Sequence, residues 1–262
     1  MTWFEALILG TVQGLTEFLP VSSSGHLEIG KALLNVEIKE NLSFTVLVHF
    51  ATVLSTITVF FREIMDLLNG LFRFMWNEPT KYVTKLFVSM IPVLLVGLFL
   101  AEEVESLFSG KLVLVGISLM VTAALLTFAF FMKSGLKKRI PFSDAFIMGI
   151  AQAIAVIPGI SRSGATISTG LLLKNDREEV ARFSFLMVLL PILGAALLDI
   201  MSWSEKPGAG TVPFPSLITG FLAAYISGFI ACRWMITLVK KGKLIWFAVY
   251  CAIIGATAII LS

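Results

Sequence analysis

Charge is scarce in this chain. Asp, Glu, Lys and Arg make up 14% of its 262 residues, where soluble domains carry roughly 25%. That deficit excludes an ordinary water-soluble globule. Cysteine is nearly absent: Cys232 and Cys251 both lie inside apolar runs, which suggests neither a disulfide framework nor a metal-binding spacing. The apolar runs lack the every-second-residue alternation of an outer-membrane barrel. The net charge of +3 carries no message about nucleic acid. The stretch Met1 to Pro20 has no basic opening and no small-residue cleavage site, and it carries Glu5 and Glu17. It reads as part of the folded protein and not as a signal peptide.

What is abundant is hydrocarbon. Hydrophobic residues make up 57% of the chain and the mean hydropathy is +0.93. The expected fold is an all-α integral membrane protein forming a single membrane domain over 1–262. Six segments are long enough to cross about 30 Å of hydrocarbon: 42–61, 81–101, 112–132, 179–200, 216–238 and 244–261. Two further apolar regions are interrupted. Region 3–34 breaks at Pro20-Val21-Ser22-Ser23-Ser24-Gly25-His26, and region 142–173 breaks at Pro158-Gly159-Ile160-Ser161-Arg162-Ser163-Gly164. Each half is short for a crossing. Irregular backbone at membrane depth survives only where protein or a cavity surrounds it. Both regions are therefore predicted to be re-entrant helix-loop-helix hairpins.

The two hairpins resemble each other. An ungapped shift pairs Gln13 with Gln152, Ser22 with Ser161, Ser24 with Ser163 and Gly25 with Gly164. A hairpin followed by three spans thus occurs twice, over about 1–132 and about 142–262. An odd number of crossings inverts the second copy, which gives an inverted-topology repeat with its site where the broken helices meet. This topology puts fourteen Lys and Arg on one side of the bilayer and four on the other, with Arg162 and Arg233 between them. The basic side is then cytoplasmic, and both termini and the first hairpin face outward.

Ionisable groups at membrane depth are costly and mark function. Glu17, His26 and Arg162 are three such groups. Gln13 and Glu17 share one helix face just before the first break. Ser22, Ser23 and Ser24 follow, and the second break adds Ser161, Ser163, Gly164 and Thr166. The set suits phosphate chemistry. Arginine presents a fork matched to phosphate oxygens, and helix starts near Gly25 and Gly164 offer N–H groups to an anion. A carboxylate beside a serine can act as a base, and a histidine as acid or base. Plainer readings exist: a structural Glu17–Arg162 pair, a packing histidine, and small residues that let helices approach closely. His49 is set aside as a buried hydrogen-bonded residue, and Asp199 and Arg233 as groups that snorkel from span ends.

The stretch from Gln13 to His26, with Glu17-Phe18-Leu19-Pro20-Val21-Ser22-Ser23-Ser24-Gly25 at its centre, resembles the first signature of the undecaprenyl-diphosphate phosphatase family, the bacitracin-resistance proteins. The stretch from Pro158 to Thr166 resembles the second. The resemblance implies a multi-pass inner-membrane hydrolase of a bacterium. Its reaction converts undecaprenyl diphosphate to the monophosphate that carries cell-wall precursors, and it confers bacitracin resistance. Glu17, Ser23, His26 and Arg162 fall on the family's catalytic positions. Gln13, Ser22, Ser161, Ser163, Gly164 and Thr166 fall on substrate contacts. The resemblance also implies a divalent cation, Mg2+ or Ca2+, with Glu17 a candidate ligand and Gln13 nearby. Gln13 stands where many members have Glu, and an amide gives no charged ligand. The partners implied are the lipid substrate and the bilayer, with a homodimer left open. Ser23, His26 or water could be the nucleophile. The alternative is a transporter or flippase of polyprenyl phosphate or another anion, built on the same inverted-repeat scaffold.

Overall fold

The computed structural model describes residues 1–34, 42–100, 103–104, 112–133, 135, 137–201 and 212–260. Among these residues the structure is helical throughout. The elements run α1 Trp3–Phe18, α2 Ser23–Leu33, α3 Leu42–Val59, α4 Phe61–Leu71, α5 Glu78–Phe99, α6 Leu112–Phe131, α7 Phe142–Ile154, α8 Arg162–Leu172, α9 Arg177–Met201, α10 Phe214–Lys240 and α11 Ile245–Ile260. The one β-type pairing among them is an isolated bridge between Lys137 and Asn175.

Local chemistry sets the helix ends that matter for the site. Thr2 and Glu5 form a reciprocal capping box at the start of α1, satisfying donors that a helix start leaves open. α1 stops where Leu19 is held extended before Pro20, as expected for a residue preceding proline. α2 restarts on Ser22, whose Oγ accepts from Gly25 N–H at 3.3 Å. α7 ends at Ile154, four residues before Pro158, and α8 restarts on Ser161, whose Oγ accepts from Gly164 N–H at 3.1 Å. Both breaks expected from the sequence are therefore present. Each second helix begins two residues earlier than Gly25 or Gly164, because the capping serine and not the glycine marks the start.

Each of the six expected crossings falls on a helix, with one difference. α5, α6 and α10 are long and apolar enough to cross a bilayer. The stretch expected as one span over 42–61 instead ends at Val59 and bends by 76° into α4. Residues Phe61, Met65 and Leu68 of α4 are exposed on one side, which is the pattern of a helix lying along an interface. α9 opens with Arg177, Glu178 and Glu179. α11 has 16 residues, about 24 Å of helix.

Packing relies on small residues. α1 lies along α10, where Gly10 sits so close to Gly220 that a Cβ would stand 2.3 Å from the Gly220 carbonyl oxygen. α7 lies along α5 in the same way, with Gly149 against the Ser89 backbone. α3 also packs on α10, and α9 on α5. α6 and α11 pair through Gly116 and Gly255, each of which approaches the other's carbonyl. Close backbone approach is how helices gain van der Waals contact where lipid removes the hydrophobic drive. At one end of the bundle, Arg182 pairs with Glu63 and Glu178, Lys240 with Glu178, and Arg139 with Glu78. These pairs join α9 to the ends of α4 and α10, and the start of α5 to the segment before α7.

Candidate active site

Ser23 and Arg162 hold the same place in the two breaks: each is the first residue of its second helix. Both lie directly after a capping serine. The hydroxyl of Ser24 lies 3.3 Å from that of Ser22, and Ser163 repeats the distance to Ser161. The backbones differ at the capping serine. Ser22 has φ 70°, whereas Ser161 has φ −72°. A non-glycine residue at positive φ stores roughly 1–3 kcal/mol of strain.

The breaks touch. Ser163 Oγ donates to the Leu19 carbonyl at 3.2 Å. A Cβ on Gly25 would lie 3.4 Å from Gly159 Cα. Gly159 itself has φ +94° and presses against Val115 of α6, so glycine is required there on both counts. The second break is also pinned from α6, where Thr122 Oγ1 accepts from Ser161 N–H at 3.0 Å.

Glu17 is the centre of the junction, with 6% of its side chain exposed. Its Oε2 accepts from Ser23 Oγ at 2.7 Å and from Gln13 Nε2 at 2.9 Å. Arg162 Nη2 lies 3.4 Å from Oε1. A carboxylate, a hydroxyl and a guanidinium thus meet within one contact shell, and the N-termini of α2 and α8 bring their positive dipole ends to the same place. A small cleft opens beside them. Glu17, Arg162, Ser163, Thr52, Thr56 and Ser184 give it a polar part, and Phe18, Val53, Phe185, Val188, Leu189 and Ile192 an apolar one.

The other expected site residues lie around this centre in different ways. Ser22, Ser161 and Gly164 are engaged in the two helix caps. Thr166 is buried, donates to the Arg162 carbonyl and accepts from Ser184 Oγ at 2.6 Å. It ties the second break to α9. His26 points to α11: its Nδ1 is 2.8 Å from the Ser22 carbonyl oxygen and its Nε2 is 2.8 Å from Tyr250 Oη. The imidazole that faces Glu17 is His49, with Nε2 3.9 Å from Oε2 and Nδ1 2.8 Å from the Thr45 carbonyl oxygen. The rule that singles out His26, an ionisable group at membrane depth, applies equally to His49, which is the histidine the structure sets beside Glu17. Gln13 Oε1 is buried and has no hydrogen-bond partner among the described residues, and neither amide atom of Gln152, its counterpart, has one.

Comparison with known proteins decides the family. The model of the family described as "Bacitracin resistance protein BacA" matches residues 6–257. The chain belongs to this family. It is 56% identical to an undecaprenyl-diphosphatase of Bacteroides fragilis over 263 residues, covering 100% of the chain and 99% of the relative. It is 56% identical to an undecaprenyl-diphosphatase of Parabacteroides distasonis, covering 99% and 98%. A more distant undecaprenyl-diphosphatase, of Carboxydothermus hydrogenoformans, is 40% identical with 100% and 98% covered. The two breaks that meet at Glu17 both lie within the matched residues.

Proposed function

We infer that this chain is a membrane phosphatase that hydrolyses undecaprenyl diphosphate to undecaprenyl phosphate and so belongs to recycling of the cell-wall lipid carrier. Membership of the bacitracin-resistance family and full-length similarity to undecaprenyl-diphosphatases support this reading. The single structural observation that carries it is the meeting of Ser23, Glu17 and Arg162 at the junction of the two breaks.

In the reaction we propose, Arg162 and the N–H groups of α8 hold the diphosphate, the guanidinium fork facing its oxygens. The apolar part of the cleft receives the start of the polyprenyl chain. Ser23 Oγ attacks the terminal phosphorus, and its proton passes to Glu17 Oε2, with which it is already hydrogen-bonded. The bond from phosphorus to the bridging oxygen breaks, and undecaprenyl phosphate departs. Water then attacks the phosphoserine, its proton passing to His26; the Oγ–phosphorus bond breaks, Ser23 Oγ recovers its proton from Glu17, and inorganic phosphate leaves. Nucleophile and base within hydrogen-bond reach is the geometry such activation requires.

The cation implied by the family fits these residues in one manner. Among the described residues there is no group of three or more His, Cys, Asp and Glu that could hold a metal. One carboxylate, Glu17, stands beside the orphaned oxygen of Gln13. That set suits an ion that arrives with the diphosphate and keeps several waters, as Mg2+ does. When bound, such an ion neutralises charge on the two phosphate groups.

We read the architecture as the inverted repeat described above. Its support is the exchange of packing partners, α1 on α10 and α3 on α10 against α7 on α5 and α9 on α5. By the charge asymmetry, the ion-paired end of the bundle is cytoplasmic and the site opens outward in the inner membrane. Released phosphate from undecaprenyl diphosphate, measured with purified protein in detergent, tests the activity. Detergent removes the two compartments that a transporter needs. Trapping of a phosphorylated enzyme and its loss in Ser23→Ala tests the nucleophile.

A further inference from the structure

His26 is held from two directions. Its Nδ1 lies 2.8 Å from the Ser22 carbonyl oxygen. A carbonyl only accepts, so Nδ1 carries the proton and Nε2 of the neutral ring is the lone-pair nitrogen. Tyr250 Oη stands 2.8 Å from that nitrogen and is the donor. The two rings also stack, with centroids 5.5 Å apart and planes 14° apart. Tyr250 comes from α11, the last helix, whose main packing partner is α6. Its neighbour Cys251 reaches the same break, with Sγ 3.6 Å from the Pro20 carbonyl oxygen. α11 therefore grips the first break at both Pro20 and His26. The Tyr250 side chain does not fill a core: the residue is 41% exposed, and its hydroxyl is spent on His26.

We infer that Tyr250 is a positioning residue for the hydrolysis: the Ser22 carbonyl sets the His26 tautomer, and the Tyr250 hydroxyl holds the ring's direction so that Nε2 keeps the lone pair that takes the proton once water displaces that hydroxyl. The inference rests on the reading of His26 as part of the active site. The imidazole sits at the edge of the Ser23 helix turn, and without a partner at Nε2 it could rotate away from the Ser22 carbonyl. Placing the lock on the opposite half of the chain makes His26 competent only when α11 is docked on the first break.

The test uses the full chain, which contains just two histidines, His26 and His49. Ring-15N histidine labelling then gives two imidazole spin systems. Tyr250→Phe keeps the stacked ring and removes only the hydroxyl. The expected result is a shift of the His26 Nε2 resonance with His49 unmoved, and a fall in kcat of about tenfold, the worth of one ordinary hydrogen bond, at nearly constant KM. In a His26→Ala background Tyr250→Phe should cost nothing more, whereas a purely structural tyrosine would lower both backgrounds alike. Unmoved His26 resonances, or equal losses in the two backgrounds, overturn the inference while leaving the phosphatase reading intact. Wild-type turnover by His26→Ala removes His26 from the site and the inference with it.

Discussion

Glu17 and Arg162, one from each helix break, approach to 3.4 Å inside the bundle. Each would be an expensive group at membrane depth alone. Together, with Ser23 and Gln13 on the second carboxylate oxygen, they form a charge pair whose remaining hydrogen-bonding capacity faces a cleft. The pair is the hinge of both the fold and the proposed chemistry, and variants separate the two roles.

Ser23→Ala removes the proposed nucleophile and leaves the ion pair. Turnover of undecaprenyl diphosphate is expected to fall at least a hundredfold, with a drop in melting temperature smaller than that of Arg162→Ala, since one hydrogen bond to the Glu17 carboxylate is lost. Glu17→Gln is expected to fall about 10²–10⁴-fold, the usual range for a positioned base. Phosphate release against substrate concentration checks both, and a Ser23→Ala enzyme with near wild-type kcat would exclude the serine route.

Arg162→Ala leaves the Glu17 carboxylate buried without its cation. Breaking one side of a buried pair costs about 3–5 kcal/mol, so a large drop in melting temperature should accompany loss of activity. Arg162→Lys keeps the charge but not the fork. It should restore most of the stability and little of the turnover. Paired melting and kinetic measurements read the split.

Gln13→Glu sets a second carboxylate against Glu17 where an amide N–H now donates at 2.9 Å. Without a cation the variant should be less stable than the parent, because like charges meet in a buried site. Added Mg2+ or Ca2+ should stabilise it more than it does the parent and should be needed at lower concentration for activity. Melting curves with and without chelator give the sign.

Gly10→Ala puts a methyl 2.3 Å from the Gly220 carbonyl oxygen. Backbone cannot yield as a side-chain tip does, so about 1–3 kcal/mol of overpacking is expected. Gly97→Ala is the control, since nothing stands within 4 Å of that position. A Gly10→Ala protein that melts with the control would show the α1–α10 seam to be loose.

Both helix breaks, the helices on the six apolar runs and the Glu17–Ser23–Arg162 meeting were legible because each has a local signature. Proline and serine stop and restart a helix, twenty apolar residues form a long one, and a buried charge needs a partner. The contacts of the histidines were not legible. Whether His49 or His26 faces Glu17 depends on how α3 is rotated against α1: Thr45, His49, Thr52 and Thr56 share one helix face, but that stripe does not say which neighbouring element the face meets. Tyr250 is unreadable because nothing in the α11 sequence sets it apart from its apolar neighbours, and only its docking makes it a partner. The bend at Phe60 was hidden because Arg62 and Glu63 look like the charged end of a crossing, while the chain continues as a helix turned along a new direction.

Ser22 meets two demands that pull apart for most residues. Its φ of 70° favours glycine, while its cap to Gly25 N–H requires a side-chain oxygen. Ser22→Gly would relax the backbone and lose the cap. Ser22→Ala would keep the tension and lose the cap as well. The first loop is thereby tuned like a sprung latch, stiff enough to aim the Ser23 hydroxyl yet lying higher in energy than its twin at Ser161. When the junction loosens, during lipid entry or product exit, this is the side expected to let go first.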